Sequence, residues 1–271
     1  MRRIVAGNGV TFYRSELIPC PHGFSTRLGG VSKLPHTASL NLGVDRGDEK
    51  ETVLENLRLF ADAVGVPMQE IISVSQIHSD KVRTVTKENC GEGFFKAETE
   101  LCDGYIAQSK GVVLGIRTAD CVPVLIYAPP HKDFDGAVMA LHAGWRGTAL
   151  GIVTKAVEKA KALGADPKEM RAAIGPSIGK CCYEVREDFY NKFLEMAGRE
   201  LTEKYVHPKS GESGVYFADL KSVNRELLLR AGLPSENIDV SALCTCCCPD
   251  EFFSHRFSGG LRGTMLSIIA K

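Results

Sequence analysis

At 271 residues the chain is long for one hydrophobic core but within the range of a single large α/β or α+β domain, and residues 1–271 are read as one domain. Its 33 basic and 33 acidic residues cancel to zero formal charge, which removes the electrostatic footprint expected of a protein that binds nucleic acid or anionic lipid. Met1 to Val10 holds only a short apolar stretch broken by Gly7 and Asn8, and no segment has membrane-spanning length, so a cytoplasmic location is expected with the ten cysteines reduced.

Residues 10–48 alternate short apolar runs with Gly, Pro, Ser and Asn, a pattern of strands and loops. Over 49–64, Val53, Leu57, Phe60 and Val64 recur at helical spacing, with Gly65 as a C-terminal stop. Ile71–Ile77, Val82–Thr86, Asp103–Gln108, Val112–Ile116, Val122–Tyr127 and Ala137–Leu141 are β-rich runs separated by turn residues, so the middle third is expected to be a sheet. A hairpin-like connection is expected between Val112–Ile116 and Val122–Tyr127. Thr148–Leu163, closed by Gly164, carries an apolar stripe and reads as one helix. Val185–Ala197 and Asp219–Ala231 are further amphipathic helices, and Ile238–Leu243 and Met265–Ala270 are closing strands. Strands and helices do not alternate strictly, which favours an α+β architecture of mixed sheets with flanking helices.

Three segments each bring a candidate metal ligand to the end of a predicted strand: His78, Cys121 and His142. Two imidazoles and a thiolate would leave a tetrahedral zinc ion one open position, the mark of a catalytic site. Gaps of tens of residues do not by themselves bring the three together, and the alternative is a loop histidine, a core cysteine and a turn histidine that never meet. Asp120, beside Cys121, is a candidate to hold a ligating imidazole by hydrogen bonding, or else a turn cap. Arg146 follows Gly144 at a helix start that could cradle an anion, and Arg27 lies beside Gly29-Gly30; each has a purely structural alternative. Asn41 could orient a ribose hydroxyl or satisfy its own turn. His255-Arg256 could close the pocket from the C-terminal side. Cys244, Cys246, Cys247 and Cys248 read as packed, redox-sensitive thiols outside the catalytic site. Alternation in an extended segment lets at most two face one ion, and no partner pair lies close in sequence.

The chain resembles the YfiH family, known both as multi-copper polyphenol oxidoreductase (laccase-like) and as purine nucleoside phosphorylase. The resemblance is carried by the stretch His22 to Ser32, Ser39 to Gly43, Gln76-Ile77-His78, Thr118 to Pro123, His142-Ala143-Gly144-Trp145-Arg146-Gly147, Ile174 to Gly179, Cys181 to Val185 and Phe252 to Arg256. Ser177 stands where relatives often have Cys, and His255 where an aromatic is usual. The resemblance implies a YfiH-like layered α/β sandwich and a zinc site at His78, Cys121 and His142.

It also implies a zinc-dependent phosphorylase that uses phosphate to cleave adenosine, inosine and, by extension, methylthioadenosine, with an adenosine deaminase side activity. Arg27, Asp120 and Arg146 are then the catalytic candidates, and Asn41 and Arg256 the substrate-binding ones. The copper oxidase of the older family name needs a blue site and a trinuclear cluster, for which seven histidines are too few, so copper at the zinc site reads as adventitious. A third reading makes Cys121 the nucleophile of a hydrolase or amidase, one acting on peptidoglycan precursors, with a histidine as its base.

Overall fold

In the computed structural model, which describes residues 1–271, the first third forms β1 (Arg2–Val5), β2 (Thr11–Arg14), β3 (His22–Ser25) and helix α1 (Lys50–Val64). Helix α1 buries Val53, Leu57 and Phe60 and stops at Gly65, whose φ of 83° is a left-handed conformation that glycine adopts without strain. The strand expected over Ile71–Ile77 shrinks to β4 (Ile71–Ile72). Beyond it, side chains replace the ladder. The Val74 amide donates to the Tyr105 hydroxyl at 2.7 Å, and the Gln76 amide group pairs with both backbone polar groups of Arg117 at 2.8 and 2.9 Å.

Next come β5 (Val82–Thr84), β6 (Gly104–Ala107), β7 (Val113–Thr118), β8 (Val122–Ala128) and β9 (Ala137–Ala143). The expected single helix over Thr148–Leu163 is two, α2 (Trp145–Ala149) and α3 (Ile152–Ala162), separated at Gly151 with φ of 75°. After β10 (Arg171–Ile174), the start of the helix expected at Val185 is instead β11 (Glu184–Arg186), followed by α4 (Glu187–Ala197). The chain closes through α5 (Arg199–Tyr205), β12 (Val206–Pro208), β13 (Val215–Ala218), α6 (Leu220–Arg230), β14 (Ile238–Val240), α7 (His255–Ser258) and β15 (Met265–Ala270). The Asp219 carboxylate caps α6 by accepting from the Ser222 amide at 3.1 Å. No helix is long and apolar enough to cross a membrane.

The strands form two six-stranded sheets, in the orders β1-β2-β3-β15-β7-β4 and β14-β10-β8-β9-β6-β5, and a small sheet β11-β13-β12. Most pairs are antiparallel, with parallel pairs at β4/β7, β5/β6 and β10/β14. Strands β8 and β9 are apolar on both faces because both faces are covered. Val122, Val124 and Ile126 of β8, with Met139 and Leu141 of β9, pack on helices α3 to α6. Leu125, Val138 and Ala140 point the other way, onto Phe24, Leu114 and Ile269 of the first sheet. Helix α1 covers the outer face of that sheet. The result is the layered α+β architecture expected.

One connection departs from expectation. Strands β7 and β8 belong to different sheets, so Ala119-Asp120-Cys121 is a crossing between layers and not a hairpin turn. Tyr105 from the second sheet reaches into the same interlayer space and is fully buried. Tyr105→Phe should therefore leave the buried Val74 amide without its acceptor and lower stability by about 1–3 kcal/mol. Urea denaturation checks this, and an unchanged midpoint would show that Val74 finds another partner.

Candidate active site

Strand parity decides which side chains enter the interlayer space at the carboxyl end of β9. His142 shares a face with Val138 and Ala140, and Pro123 pairs with His142, which sets Cys121 opposite Gly144. His78 arrives from the loop after β4. The ligating atoms of His78, Cys121 and His142 all lie within 4.8 Å of one another, and the two imidazoles meet edge to face at a centroid distance of 4.9 Å. The structure thus brings together the three residues that sequence spacing alone left apart. Two of the backbones that achieve this carry strain. His78 has φ of 59° and Asp120 has φ of 93°, the only non-glycine residues with positive φ. Gly144 presses on all three ligands. A Cβ there would sit 3.3 Å from each imidazole and 3.5 Å from the Cys121 sulfur, so glycine keeps this close approach free of crowding.

Asp103, fully buried just before β6, organises the cluster. One of its oxygens contacts His142 Nδ1 at 2.8 Å and accepts from the His78 amide at 2.9 Å. The other accepts from the Ile77 amide and from the Ser79 amide and hydroxyl. The Asp103 contact leaves His142 Nε2 for the sulfur. Sequence reasoning assigned this orienting role to Asp120. The Asp120 carboxylate instead accepts from the Thr245 hydroxyl at 2.6 Å and the Arg256 amide at 2.7 Å, because positive φ turns it away from the imidazoles. The one mark of Asp103 in the sequence is an acidic residue opening a strand, Asp103-Gly104.

Burial alone would raise the Asp103 carboxyl, but hydrogen bonds from His142 and Ser79 outweigh it and hold it below the usual carboxylate range. Burial likewise opposes charge on Cys121 and His142, yet their mutual attraction prevails. The thiol is brought down to about 6, helped by His78, and the imidazole up to about 9, helped by Asp103. The pair is thiolate and imidazolium between those values. Two imidazoles and a thiolate, one imidazole oriented by a carboxylate, are a donor set suited to zinc.

The open side of the triad faces a cavity of about 260 Å³ whose wall includes Arg46, Arg117, Arg262, Gln76 and Thr264. Arg46 and Arg262 both donate to the Thr264 hydroxyl, at 3.3 and 3.0 Å, and the buried Nε of Arg262 has no partner. Asp45 is the one acidic residue in the wall. Sequence reasoning missed all three arginines; Arg117 directly precedes the Thr118–Pro123 stretch and Arg46 closely follows Ser39–Gly43, which is the one signal the chain offered.

The arginines and the asparagine it did single out are elsewhere. Arg27 is not in the cavity wall. Its guanidinium donates to the Ala38 carbonyl at 2.7 and 2.9 Å and to the Pro249 carbonyl at 2.8 Å, and it lies over the Phe253 ring. Those bonds occupy the fork expected to hold an anion. Asn41 is fully buried and saturated by Gly43, Asp48 and Thr264, so it shapes the wall from behind and cannot meet a ribose. Arg146 is exposed over Trp145, and α2 behind it is too short to serve as the expected anion cradle. Arg256 donates to the Cys182 carbonyl at 2.9 Å and lies over Tyr183. Burial pushes the Tyr183 phenol up, with Cys121 adding and Arg256 and Arg146 opposing, and neither arginine is in the cavity wall. The exposed His255 ring makes no hydrogen bond in this structure, and Gly260 packs beside it.

Asp103→Asn should weaken zinc affinity about 10- to 100-fold, by analogy with other carboxylates that orient metal-bound histidines. Competition titration against a chelator checks this. The pH dependence of uptake has a fixed sign. Between about 6 and 9 the metal displaces one proton, from His142, and affinity should rise about tenfold per pH unit. Below about 6 the Cys121 proton must leave as well, so the slope should steepen to about a hundredfold per unit; a flat profile would rule out these ligands.

The family model described as multi-copper polyphenol oxidoreductase laccase matches residues 21–271. The purine nucleoside phosphorylase YlmD of Geobacillus stearothermophilus is 36% identical over 254 residues, which cover 92% of this chain and 89% of that protein. A purine nucleoside phosphorylase of Bacteroides thetaiotaomicron is 33% identical over 254 residues, covering 91% and 89%. Among solved structures, the hypothetical protein YfiH of Bacillus licheniformis superposes with a TM-score of 0.88 at 34% identity, over 99% of this chain and 98% of that one. By motif, by length and by fold, the chain belongs to the YfiH family of multi-copper polyphenol oxidoreductase (laccase-like) proteins.

Proposed function

We propose that this protein is a zinc-dependent purine nucleoside phosphorylase acting on adenosine, inosine and methylthioadenosine. The observation that carries the reading is the union of the His78–Cys121–His142 cluster with a cavity lined by three guanidinium groups, one of them holding a buried nitrogen without a partner. Asp45 pairs with Arg46 at 3.3 Å and Glu98 with Arg117 at 3.8 Å, which leaves Arg262 as the wall cation without a carboxylate partner and able to take an anion. The similarity to proteins named as purine nucleoside phosphorylases supports the same reading.

In this reaction the N-glycosidic bond breaks, the base leaves with the bonding electrons and takes up a proton, and a phosphate oxygen forms the new bond to the ribose carbon. Positive charge builds on that carbon. Arg46 and Arg262 would hold the phosphate dianion beside it, and the free Nε of Arg262 would give one charge-assisted bond. This assigns to Arg46 and Arg262 the role the sequence suggested for Arg27 and Arg146. Arg146, over Trp145, and Arg256, over Tyr183, lie outside the cavity wall and would contribute charge only at longer range. Zinc held by the triad would supply a Lewis acid toward a substrate oxygen. Adenosine deamination at the same centre belongs to this proposal as a side activity, independent of phosphate.

A second reading is favoured by one observation. Cys121, His142 and Asp103 are linked in series as a thiolate, an imidazolium and a carboxylate, the arrangement of a cysteine hydrolase. The second imidazole on the same sulfur, from His78, favours ligation instead. Multicopper oxidation has less support, because the other five histidines are dispersed and His22, His36 and His131 are engaged with backbone groups.

Purified protein should convert inosine to hypoxanthine and ribose 1-phosphate only when phosphate is present. Arg262→Ala should retain zinc yet lose about 30- to 1,000-fold in kcat/KM, equivalent to roughly 2–4 kcal/mol of transition-state stabilisation. Product that forms equally well without phosphate in wild type and variant would reject phosphorolysis. Cys121→Ser tests the alternative. Loss of zinc together with turnover supports ligation, whereas a metal-free wild type with full activity supports the nucleophile.

A further inference from the structure

Ten residues before α7, the chain turns sharply at Cys244-Thr245-Cys246-Cys247. A strand would alternate these side chains between faces, which is why sequence reasoning set them aside as packed thiols. The backbone here is a turn, and a turn with two residues between cysteines points both thiols to one side, as in structural zinc sites. The loop after β10 supplies the missing partner pair, Cys181 and Cys182, from more than sixty residues away. All four sulfurs lie within 4.8 Å of one another. Cys247 Sγ is 3.5 Å from Cys181 Sγ and 3.3 Å from Cys182 Sγ. A tetrahedral ion with metal–sulfur bonds of about 2.3 Å requires sulfur–sulfur edges of about 3.8 Å, so the cluster needs only small shifts to close on one.

One backbone amide and one buried cation lie close to the cluster. The Gly179 amide donates to Cys244 Sγ at 3.2 Å. A Cβ on Gly179 would lie 3.2 Å from the Cys181 sulfur, so glycine keeps the backbone against the cluster. The buried Lys221 ammonium donates to the Ser241 and Leu243 carbonyls and lies within electrostatic reach of Cys244, Cys181 and Cys247.

We propose that Cys181, Cys182, Cys244 and Cys247 form a second, closed zinc site with a structural role, independent of the nucleoside chemistry. Four thiolates and no imidazole select a soft, tetrahedral ion and leave no open position for substrate. Binding forms four zinc–sulfur bonds while the four thiol protons pass to solvent. The two segments it would tie together converge on Asp120. The Ile178 amide donates to the Asp120 carbonyl at 2.9 Å, Thr245 donates to its carboxylate at 2.6 Å, and Arg256 reaches back to the Cys182 carbonyl. The ion would act as a clip behind the strained crossing that delivers Cys121.

The test counts metal where the first site has been removed. H78A/C121A/H142A protein, purified reduced with Zn²⁺ as the probe, should retain one zinc per chain by native mass spectrometry. Adding Cys181→Ser and Cys247→Ser should remove it. Co²⁺ in the same triple variant should give the intense visible bands of a tetrahedral tetrathiolate centre. If the triple variant does not fold, wild-type protein should still bind two equivalents of Zn²⁺, one of them lost in C181S/C247S. A folded triple variant that takes up no Zn²⁺, or a mass showing Cys247 in a disulfide with Cys181 or Cys182 under zinc excess, overturns the proposal.

Discussion

The Asp103 carboxylate is the group on which the geometry of the centre depends. It is fully buried, and it survives there as a charge because its two oxygens engage three backbone amides, a hydroxyl and an imidazole. The same group thereby ties the His78 loop, which has no strand ladder of its own, to the imidazole of His142 on β9. Strain at His78 is sustained by this overdetermination.

Cys121 is delivered by a different device. The chain leaves the first sheet at Thr118 and enters the second at Val122, and three residues must span the gap between layers. Asp120 takes a positive φ to do so, and its side chain is pinned from the far side by Thr245 and Arg256. The thiol therefore arrives at the edge of the interlayer space, where the two sheets part around the arginine-lined cavity. Packing on both faces of β8 and β9 makes that edge rigid.

Electrostatics within the site follow from burial with partners. Isolated, a buried thiol and a buried imidazole would each stay neutral; facing one another they are charged, and Asp103 reinforces the imidazolium. Burial and Arg46 together lower the Arg262 guanidinium, which leaves a cation that gains from an incoming anion. In a chain of zero net charge, the cavity wall thus carries more basic than acidic side chains.

Much of the fold was legible in the chain. Period and stop signals located α1, α4 and α6, and the apolar runs located β5 to β9 and β15 to within a few residues, because those elements bury one stripe or two faces and their sequences carry that demand. The three ligands were legible as residues at strand ends, with the family resemblance to link them. What the sequence could not decide is whatever depends on two remote segments meeting. Asp103 replaced Asp120 as the orienting carboxylate, and Arg46, Arg117 and Arg262 line the cavity where Arg27 was expected. The thiols of Cys244 and Cys247 found partners in Cys181 and Cys182. Local pattern determines an element and its buried face; which polar side chains then share one space is set by layer packing and by the backbone φ at crossings such as Asp120, and those exist only in the tertiary structure.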